Sequence, residues 1–290
     1  MYKIVVILSN GFHFSYHFGF SLYRVRLNLF FCLNLDTLLI QTNLKAKKNM
    51  LHKTRGIVFK TTDYSETSVI VQVFTEQFGL QSYLINGVKK PKAKIKKNIL
   101  QPLHLLDMVV YHKASGTIQR VAELRHQPVF QNIPYDMVKS SLVLFLNEML
   151  YKSIRQQVAD AILFEFLFRS IEILDQQEKG LDLFHLYFLL RLTRFLGFYP
   201  DTTRAQSADY FDLKAGCYTS DLPPHTWVLQ QPHTLLWTTL LNASFDNLEH
   251  LRIAAIDRRI LLDKIVNYYQ LHLECLGQIK SYNVLKELVK

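Results

Sequence analysis

The sequence contains few cysteines, and their spacing suits no structural role. The three cysteines, Cys32, Cys217 and Cys275, lie far apart and form no C-x-x-C pair. This spacing excludes a disulfide framework and a four-thiolate zinc site, so a reducing, cytosolic setting is the simplest inference. Glycine and proline are also sparse, with ten and eight residues among 290. Their scarcity excludes collagen-like and linker-dominated architectures.

Long apolar runs and enzyme motifs are missing as well. Arg24 and Arg26 interrupt the apolar N-terminal region, and no run of the roughly 18 apolar residues that a membrane span needs is present. The chain contains no G-x-x-x-x-G-K-[ST], G-x-G-x-x-G, H-E-x-x-H or G-x-S-x-G motif. The eleven histidines are scattered, and the acidic residues are spread along predicted helix faces. We therefore expect no enzyme activity, no cofactor and no metal.

The composition is that of a folded protein with an uneven charge. Hydrophobic residues make up 49% of the chain and charged residues 20%, which is typical of a globular protein and not of a disordered one. The net charge of +10 divides into +5 for residues 1–49, +7 for residues 50–128 and −2 for residues 129–290. A basic module joined to a nearly neutral one indicates a polyanionic partner for the first part of the chain.

The first 49 residues differ from the rest of the chain. Their apolar residues keep neither helical nor strand spacing for long, and no small-residue cleavage site of a secretory signal is present. From Met50 onward, the apolar residues follow the spacing that is typical of β-strands. We hypothesise that Met50 is the native start and that residues 1–49 are an unassigned extension, translated from upstream sequence. Mass spectrometry of the protein from its own locus tests this, and a mature N-terminus near Met1 would refute it.

Residues 50–128 are predicted to form a small β-barrel domain. Alternating or β-branched residues predict five strands, at 54–61, 68–75, 80–85, 100–112 and 117–125. Five strands in about 75 residues, without a helix strong enough to cover an open sheet, indicate a closed barrel. The oligonucleotide-binding (OB) fold is the common five-stranded solution, although strand count alone does not separate it from an SH3-like barrel.

A lysine-rich segment between the third and fourth predicted strands carries the chemistry of this domain. We call residues 87–97 the lysine loop; its six lysines are Lys89, Lys90, Lys92, Lys94, Lys96 and Lys97. Lysine pairs with phosphate as a flexible point charge and does not require a particular base. The neighbouring strands add five further cations, Arg55, Lys60, Lys113, Arg120 and Arg125. We predict that these eleven residues bind nucleic acid; the alternative is a loop that serves solubility alone.

Sequence-specific recognition of bases is not expected. The chain shows no recognition-helix or zinc-finger pattern, and no cluster of Asn or Gln with Arg that could read base edges. Four aromatic residues of the barrel could stack on bases, namely Tyr64, Phe78, Tyr83 and Tyr111. Most aromatic residues of an OB-fold belong to its core, so each of the four is more often structural.

Residues 129–290 are predicted to form an all-α domain. Apolar spacing predicts helices from residue 136 and at 159–174, 181–199, 235–241, 248–254 and 258–277, with an irregular insertion near 201–224. The helix at 181–199 is apolar almost all round and should be central. Because this half is acidic on balance, we assign it to protein partners. Arg191 and Arg194 could attract an acidic tail beside an apolar groove, or they could be ordinary helix surface.

From residue 51 onward the chain resembles the RecO family of bacterial recombination mediators. The matching segments in the first half are GIV at 56–58, DYSET at 63–67, FTEQFG at 74–79, NGVKK at 86–90 and LQPL at 100–103. In the second half they are LLRLTRFLGFYP at 189–200 and IKSY at 279–282. The motifs are weak one by one and specific as an ordered set. The resemblance does not include residues 1–49.

The resemblance implies an OB domain, a helical domain and a non-enzymatic role in DNA repair in the bacterial cytoplasm, at the nucleoid. It implies binding of single- and double-stranded DNA and annealing of complementary strands. It also implies that the protein, with RecR, helps to load RecA onto DNA coated by the single-strand binding protein SSB, whose acidic C-terminal tail docks on the helical domain. Many members carry a four-cysteine zinc module after the central helix. Here residues 201–224 retain only Cys217, so we predict no zinc.

Two other functions fit the same pattern. The barrel could be an RNA-binding OB module of the translation apparatus with a helical domain that docks a partner. The chain could also be a structural adaptor whose lysine loop only keeps it soluble. Competition between single-stranded DNA and structured RNA at matched salt separates the first of these from a DNA mediator, and the salt dependence of binding separates the second.

Overall fold

The computed structural model describes residues 5–7, 13–15, 51–113, 116–155, 157–205, 208–274 and 276–288. The chain divides into two compact units, Met1–Met50 and Leu51–Lys290. In the first unit, strands β1 (Val5–Ile7) and β2 (His13–Ser15) pair antiparallel. The rest of the first unit, and with it the hypothesis about Met50, lies outside the described residues.

Five strands of the second unit close into a barrel. They are β3 (Leu51–Asp63), β4 (Val69–Thr75), β5 (Gly79–Ile85), β6 (Leu105–Tyr111) and β7 (Ile118–His126). The strand order is β3-β4-β5-β7-β6, and β6 returns to pair with β3. All neighbours are antiparallel except β5 and β7, which run parallel. The predicted five-stranded OB-fold barrel is therefore confirmed.

Strand β3 is buried on both faces, which explains its apolar sequence. Val58 lies in the barrel interior, in a cluster with Val71 and Met108. Ile57 and Phe59 project outward and belong to a second apolar core, which the helices complete. A shift in register with β4 separates Val58 from Lys60. The barrel thus has an apolar inside and one apolar outer face.

The predicted start of the fourth barrel strand is wrong. The strand was expected from residue 100, but β6 begins at Leu105, after a 3₁₀ turn at Lys97–Leu100. Leu103 has a positive φ of 57°, and its N–H donates to the Val58 carbonyl at 2.7 Å. Leu100 packs in the barrel interior and Leu103 in the core shared with the helices, so their hydrophobicity does not mark a strand. The other four strands begin and end within three residues of their predicted bounds.

The helical domain is built around one central helix. Its helices are α1 (Met137–Ser153), α2 (Ala161–Gln176), α3 (Leu181–Leu196), α4 (His233–Leu241), α5 (Ala255–His272) and α6 (Ser281–Leu288). As predicted, α3 is central: residues 183–190 are all buried, and α1, α2, α4 and α5 contact it. It ends at Gly197, which has a φ of 85°. No helix among the described residues is long and apolar enough to cross a bilayer.

The second half contains structure that the sequence pattern did not predict. The insertion expected to be irregular forms a three-stranded antiparallel sheet of β8 (Tyr210–Asp212), β9 (Cys217–Thr219) and β10 (Val228–Leu229). Helix α6 was not predicted at all. The helix predicted at 248–254 is wrong, because only a 3₁₀ turn at Phe245–His250 occurs there.

The barrel and the helices share one apolar core. Ile57, Phe59 and Phe74 of the barrel belong to the same buried cluster as the helical domain, and the rings of Phe74 and Phe164 lie 6.1 Å apart. A Cβ added to Gly79 would lie 2.4 Å from the Val158 carbonyl oxygen, so only glycine allows this close approach. One outer face of the barrel is therefore covered by helices, and a ligand can reach only the rest.

Candidate nucleic-acid interface

The lysine loop is held on the barrel by apolar anchors. All six of its lysines are exposed. Val88, near the start of the loop, is only 4% exposed, and Leu100, just beyond its end, is 2% exposed. Ile95 and Ile99 are half-buried against the same barrel core. The apolar side chains therefore fix the path of the loop, while its lysines remain exposed to solvent.

Two of the sequence segments that resemble the RecO family contact each other at the start of the lysine loop. The turn at 63–67 and the segment at 86–90 are about twenty residues apart in sequence, and three hydrogen bonds join their surroundings. The Lys89 N–H donates to the Thr67 carbonyl at 3.4 Å, and the Lys89 Nζ donates to the Ser65 carbonyl at 3.2 Å. Ser68 Oγ donates to Asn86 Oδ1 at 3.1 Å. We call residues 63–68 and 86–90 the basic corner.

One carboxylate of the basic corner, that of Asp63, contacts two lysines of the loop. Asp63 Oδ1 lies 3.1 Å from Lys97 Nζ and 3.2 Å from Lys89 Nζ. The hydrogen bonds from Lys97 and Lys89 lower the pKa of Asp63 below its ordinary value. Asp63 is exposed, so these ion pairs are surface contacts that solvent and ions can replace.

A groove of about 480 Å³ lies on the other side of the lysine loop. Lys94 from the loop, Lys53 from β3 and Arg125 from β7 line it together with Asp107 and Glu123. Arg125 Nε donates to Asp107 Oδ2 at 3.0 Å. The structure therefore brings the predicted residues Lys94 and Arg125 together. Lys53 was not predicted, because a lone lysine at a strand start gives no signal until the strands are paired.

The remaining predicted cations of the barrel lie near the β6–β7 connection. The Gln119 side chain accepts from the Lys113 N–H at 2.9 Å and donates to the Lys113 carbonyl at 2.8 Å. Arg120 is exposed and stands opposite Leu84 in the parallel β5–β7 register. Since β5 ends one residue after Leu84, Arg120 lies close to the start of the lysine loop. Lys113 is exposed beside this connection.

Arg55 and Lys60 occupy a different place from the one expected. Arg55 donates to Glu76 and, across the domain contact, to Glu165, with N···O distances of 2.9 Å. Lys60 donates to the hydroxyl of Tyr151 on α1 at 3.2 Å and lies 4.9 Å from the centre of that ring. Both cations therefore contact the helical domain. We assign them to the barrel–helix contact and leave them out of the proposed DNA-binding surface.

The four aromatic candidates differ sharply in exposure. Tyr83 is fully buried, and Phe78 stacks on His112 with ring centres 3.9 Å apart. Tyr111 is 40% exposed, and Tyr64, in the basic corner, is 62% exposed.

Arg191 and Arg194 lie in the second half of α3. Arg191 is half-buried, and Arg194 is exposed in the last turn. An apolar groove of about 570 Å³ runs along α2 and reaches Phe195, the residue after Arg194. Its other apolar lining residues include Phe166, Ile173 and Phe245. The charged residues that line this groove are Glu165 and Arg169, whereas Arg191 and Arg194 are not among its lining residues.

The insertion of the helical domain does not fit a zinc ion. No group of three or more His, Cys, Asp and Glu side chains in the described part of the chain is arranged to hold a metal. Aromatic packing supports the small sheet instead: Phe211 is fully buried, with its ring centre 4.8 Å from that of Tyr218 and 5.2 Å from that of Trp237. The buried aromatic rings therefore form the core of this small sheet.

Fold and site together define a protein in which an OB-fold barrel with an exposed cationic surface packs against a set of helices. Two models of known protein families match this chain, one in each half. The family described as "Recombination protein O N terminal" matches residues 50–127, and "Recombination protein O C terminal" matches residues 134–281. The chain belongs to the RecO family of DNA repair proteins.

Curated relatives match over nearly their whole length. The chain is 34% identical to the DNA repair protein RecO of Azobacteroides pseudotrichonymphae over 236 residues, which is 81% of this chain and 98% of that protein. It is 36% identical to the RecO protein of Bacteroides fragilis over 240 residues, 82% of this chain and 99% of that protein. The RecO protein of Flavobacterium johnsoniae is 35% identical over 237 residues, with 81% and 98% covered.

Proposed function

We propose that this chain is a DNA-binding mediator of recombinational repair with no catalytic activity of its own. It binds single- and double-stranded DNA, anneals complementary strands and, together with RecR, helps to load RecA onto DNA coated by SSB. The observation that carries the proposal is the set of six exposed lysines anchored on an OB barrel, in a chain of the RecO family. The relatives' name, DNA repair protein, favours DNA over RNA as the ligand.

The chemistry of the lysine loop suits annealing. Two complementary strands repel each other through their phosphates, and pairing requires that this repulsion is neutralised while the base edges stay free. Lysine side chains bind phosphates without engaging base edges. The loop is anchored on the barrel and its lysine side chains are exposed. The lysines can therefore neutralise the phosphates of two DNA strands at the same place, even where the strands follow an irregular path.

The helical domain is the proposed site for protein partners. We place the acidic tail of SSB near the end of α3, where Arg191 and Arg194 supply positive charge and Phe195 leads into an apolar groove. Such a site offers both of the features that a short acidic and apolar tail requires. We expect the activity to take place in the bacterial cytoplasm, at the nucleoid.

Neutralising the lysine loop tests the proposal. Changing all six lysines to glutamine should lower the affinity for single strands of every sequence. It should also flatten the slope of log affinity against log salt by roughly 0.7 for each lost single-strand contact, or about 4 for six. The measurement is a fluorescence-anisotropy titration at several salt concentrations, followed by strand annealing with and without SSB.

A matched control changes three exposed cations of the helical domain, Lys179→Gln, Lys214→Gln and Arg259→Gln. This variant should keep the wild-type salt slope and annealing rate. An unchanged slope in the six-lysine variant would contradict the proposal and favour the adaptor function.

A further inference from the structure

One exposed aromatic ring lies beside the lysines. Tyr64 is 62% exposed and follows Asp63, the carboxylate that contacts Lys89 and Lys97. An aromatic ring of this size in solvent carries a hydration cost, and the core of the barrel does not need it. Its position next to two cations of the proposed DNA-binding surface calls for a functional explanation.

The backbone around Tyr64 is held in a defined turn. The Tyr64 N–H donates to the Ser68 carbonyl at 3.1 Å, and the Ser65 N–H donates to the same oxygen at 3.3 Å. Ser65 Oγ accepts from the Ser68 N–H at 3.2 Å. The turn is also tied to the lysine loop through the Lys89 Nζ bond to the Ser65 carbonyl. The ring is therefore presented from a fixed base, which limits the entropy that a stacking contact would lose.

The other aromatic residues considered for this role are less suitable. Tyr83 is fully buried, and Phe78 is engaged with His112 at 3.9 Å. Tyr111 is 40% exposed, less than Tyr64, and stands opposite Arg120 in the β6–β7 register. Of the four, Tyr64 alone combines a mainly exposed ring with contacts from its own turn to the lysine loop.

We infer that Tyr64 is a base-stacking residue that gives the basic surface a preference for single strands over duplexes. The inference rests on the proposed function, in which the lysine loop binds DNA phosphates. Lysines meet phosphates in both forms of DNA, but the faces of the bases are covered by their neighbours inside a duplex. A single strand can turn one base outward onto the ring, as aromatic platforms on OB-folds allow for any base.

The test compares Tyr64→Ala with wild type on a single strand and on a duplex of equal length. Tyr64→Ala should lose about 5- to 100-fold in affinity for the single strand. Its affinity for the duplex should stay within about twofold, and its salt slope should not change, because no phosphate contact is lost. Tyr64→Phe keeps the ring and should retain wild-type affinity. Tyr135→Ala removes a tyrosine that is 87% exposed outside the barrel and should change nothing.

A single strand whose bases are replaced by abasic sites provides the second arm. Wild type and Tyr64→Ala should bind it equally, since no base is present to stack. A difference on this ligand, or equal losses on single strand and duplex, would overturn the inference and show that the substitution disturbs the turn. If the six-lysine variant loses affinity while Tyr64→Ala binds like wild type, the stacking inference fails alone. If the six-lysine variant keeps its affinity and salt slope, the proposed function fails.

Discussion

At the residue scale, the proposed function makes Asp63 a competitor of DNA phosphate for two cations of the lysine loop. Its carboxylate lies within 3.2 Å of Lys89 Nζ and Lys97 Nζ, where a phosphate oxygen of DNA would otherwise bind. To contact DNA, the two lysines must exchange one anion for another. Because the ion pairs are exposed, breaking them costs little free energy. This cost still lowers the contribution of the two lysines to the free energy of DNA binding.

Changing Asp63 to asparagine should strengthen DNA binding. We expect a several-fold higher affinity for single strands at low salt, and a salt slope steeper by up to about 1.4, because two cations become fully available. Anisotropy titrations over a range of salt concentrations measure both quantities. Asp246→Asn, the same charge change at an exposed position of the helical domain, should have a much smaller effect. A loss of affinity in Asp63→Asn would mean that the carboxylate positions the lysines.

Single residues were predictable where their role depends on sequence neighbours alone. The lysine loop could be recognised from composition because its charges are adjacent and no distant group alters them, apart from Asp63. The contacts of Arg55 and Lys60 with the helices could not be predicted. Their partners Glu165 and Tyr151 lie 110 and 91 residues further along the chain, and only the fold brings them together.

At the scale of elements, a carboxylate of α1 caps the start of α6. The two oxygens of Glu148 accept from the Lys280 N–H at 3.0 Å, the Ser281 N–H at 2.8 Å and the Ser281 hydroxyl at 2.6 Å. This contact gives the IKSY segment a structural role. The first turn of α6 leaves N–H groups without helical partners, and a residue more than a hundred positions away satisfies them.

The Glu148 contact predicts a pH-dependent stability. Partial burial alone would raise the pKa of Glu148, but the hydrogen bonds from Ser281, Lys280 and Lys152 outweigh it and lower the pKa from 4.5 to about 2. Since the folded value is the lower one, this stabilisation is complete above about pH 4.5 and is lost as the pH falls toward 2. Glu148→Gln should therefore destabilise the protein at pH 7 by on the order of 2 kcal/mol, and less at pH 3.

Urea unfolding of wild type and Glu148→Gln between pH 3 and pH 7 measures this difference. Glu178→Gln, at an exposed position after α2, removes a carboxylate without a cap and serves as the control. Stability curves for wild type and Glu148→Gln that stay parallel over the whole range would rule out the capping role.

Helices and strands were predictable where they are long enough to show a regular spacing of apolar residues. Four barrel strands and the central helix follow clear alternation or helical spacing, and the structure confirms them. The small sheet was missed because strands of two or three residues carry no period. Packing of Phe211 under Trp237 stabilises them instead. Helix α6 was missed because its cap comes from Glu148, a tertiary contact that no local pattern shows.

At the scale of the whole molecule, Arg55 joins the barrel to the helices. It pairs with Glu76 of the barrel and Glu165 of α2. Its guanidinium carbon lies 5.2 Å from the ring centre of Phe164 and 4.8 Å from that of Phe168. The residue therefore combines ion pairing with cation–π contacts at the edge of the shared core.

Arg55→Gln should separate stability from DNA binding. We expect a loss of about 1–2 kcal/mol in the free energy of unfolding, a modest figure because the side chain is a third exposed. The affinity for DNA and its salt slope should stay at the wild-type values. Urea unfolding and anisotropy titration of one preparation give both results. A flatter salt slope with unchanged stability would return Arg55 to the DNA-binding surface.

The fold class could be inferred from the sequence because the strand spacing and the helix spacing of apolar residues occupy separate stretches of the chain. How the two halves dock could not be inferred. The outward apolar residues Ile57 and Phe59 look the same in sequence whether they face a helix, a second chain or a ligand. The close approach of Gly79 to Val158 likewise depends on contacts that only the folded chain shows.

Because one continuous core runs through both halves, the two halves cannot be treated as exchangeable modules. A barrel expressed without the helices would present Ile57, Phe59 and Phe74 to water and would associate through them. Grafting the lysine loop and its barrel onto another protein would require a replacement for the helices that cover these apolar residues.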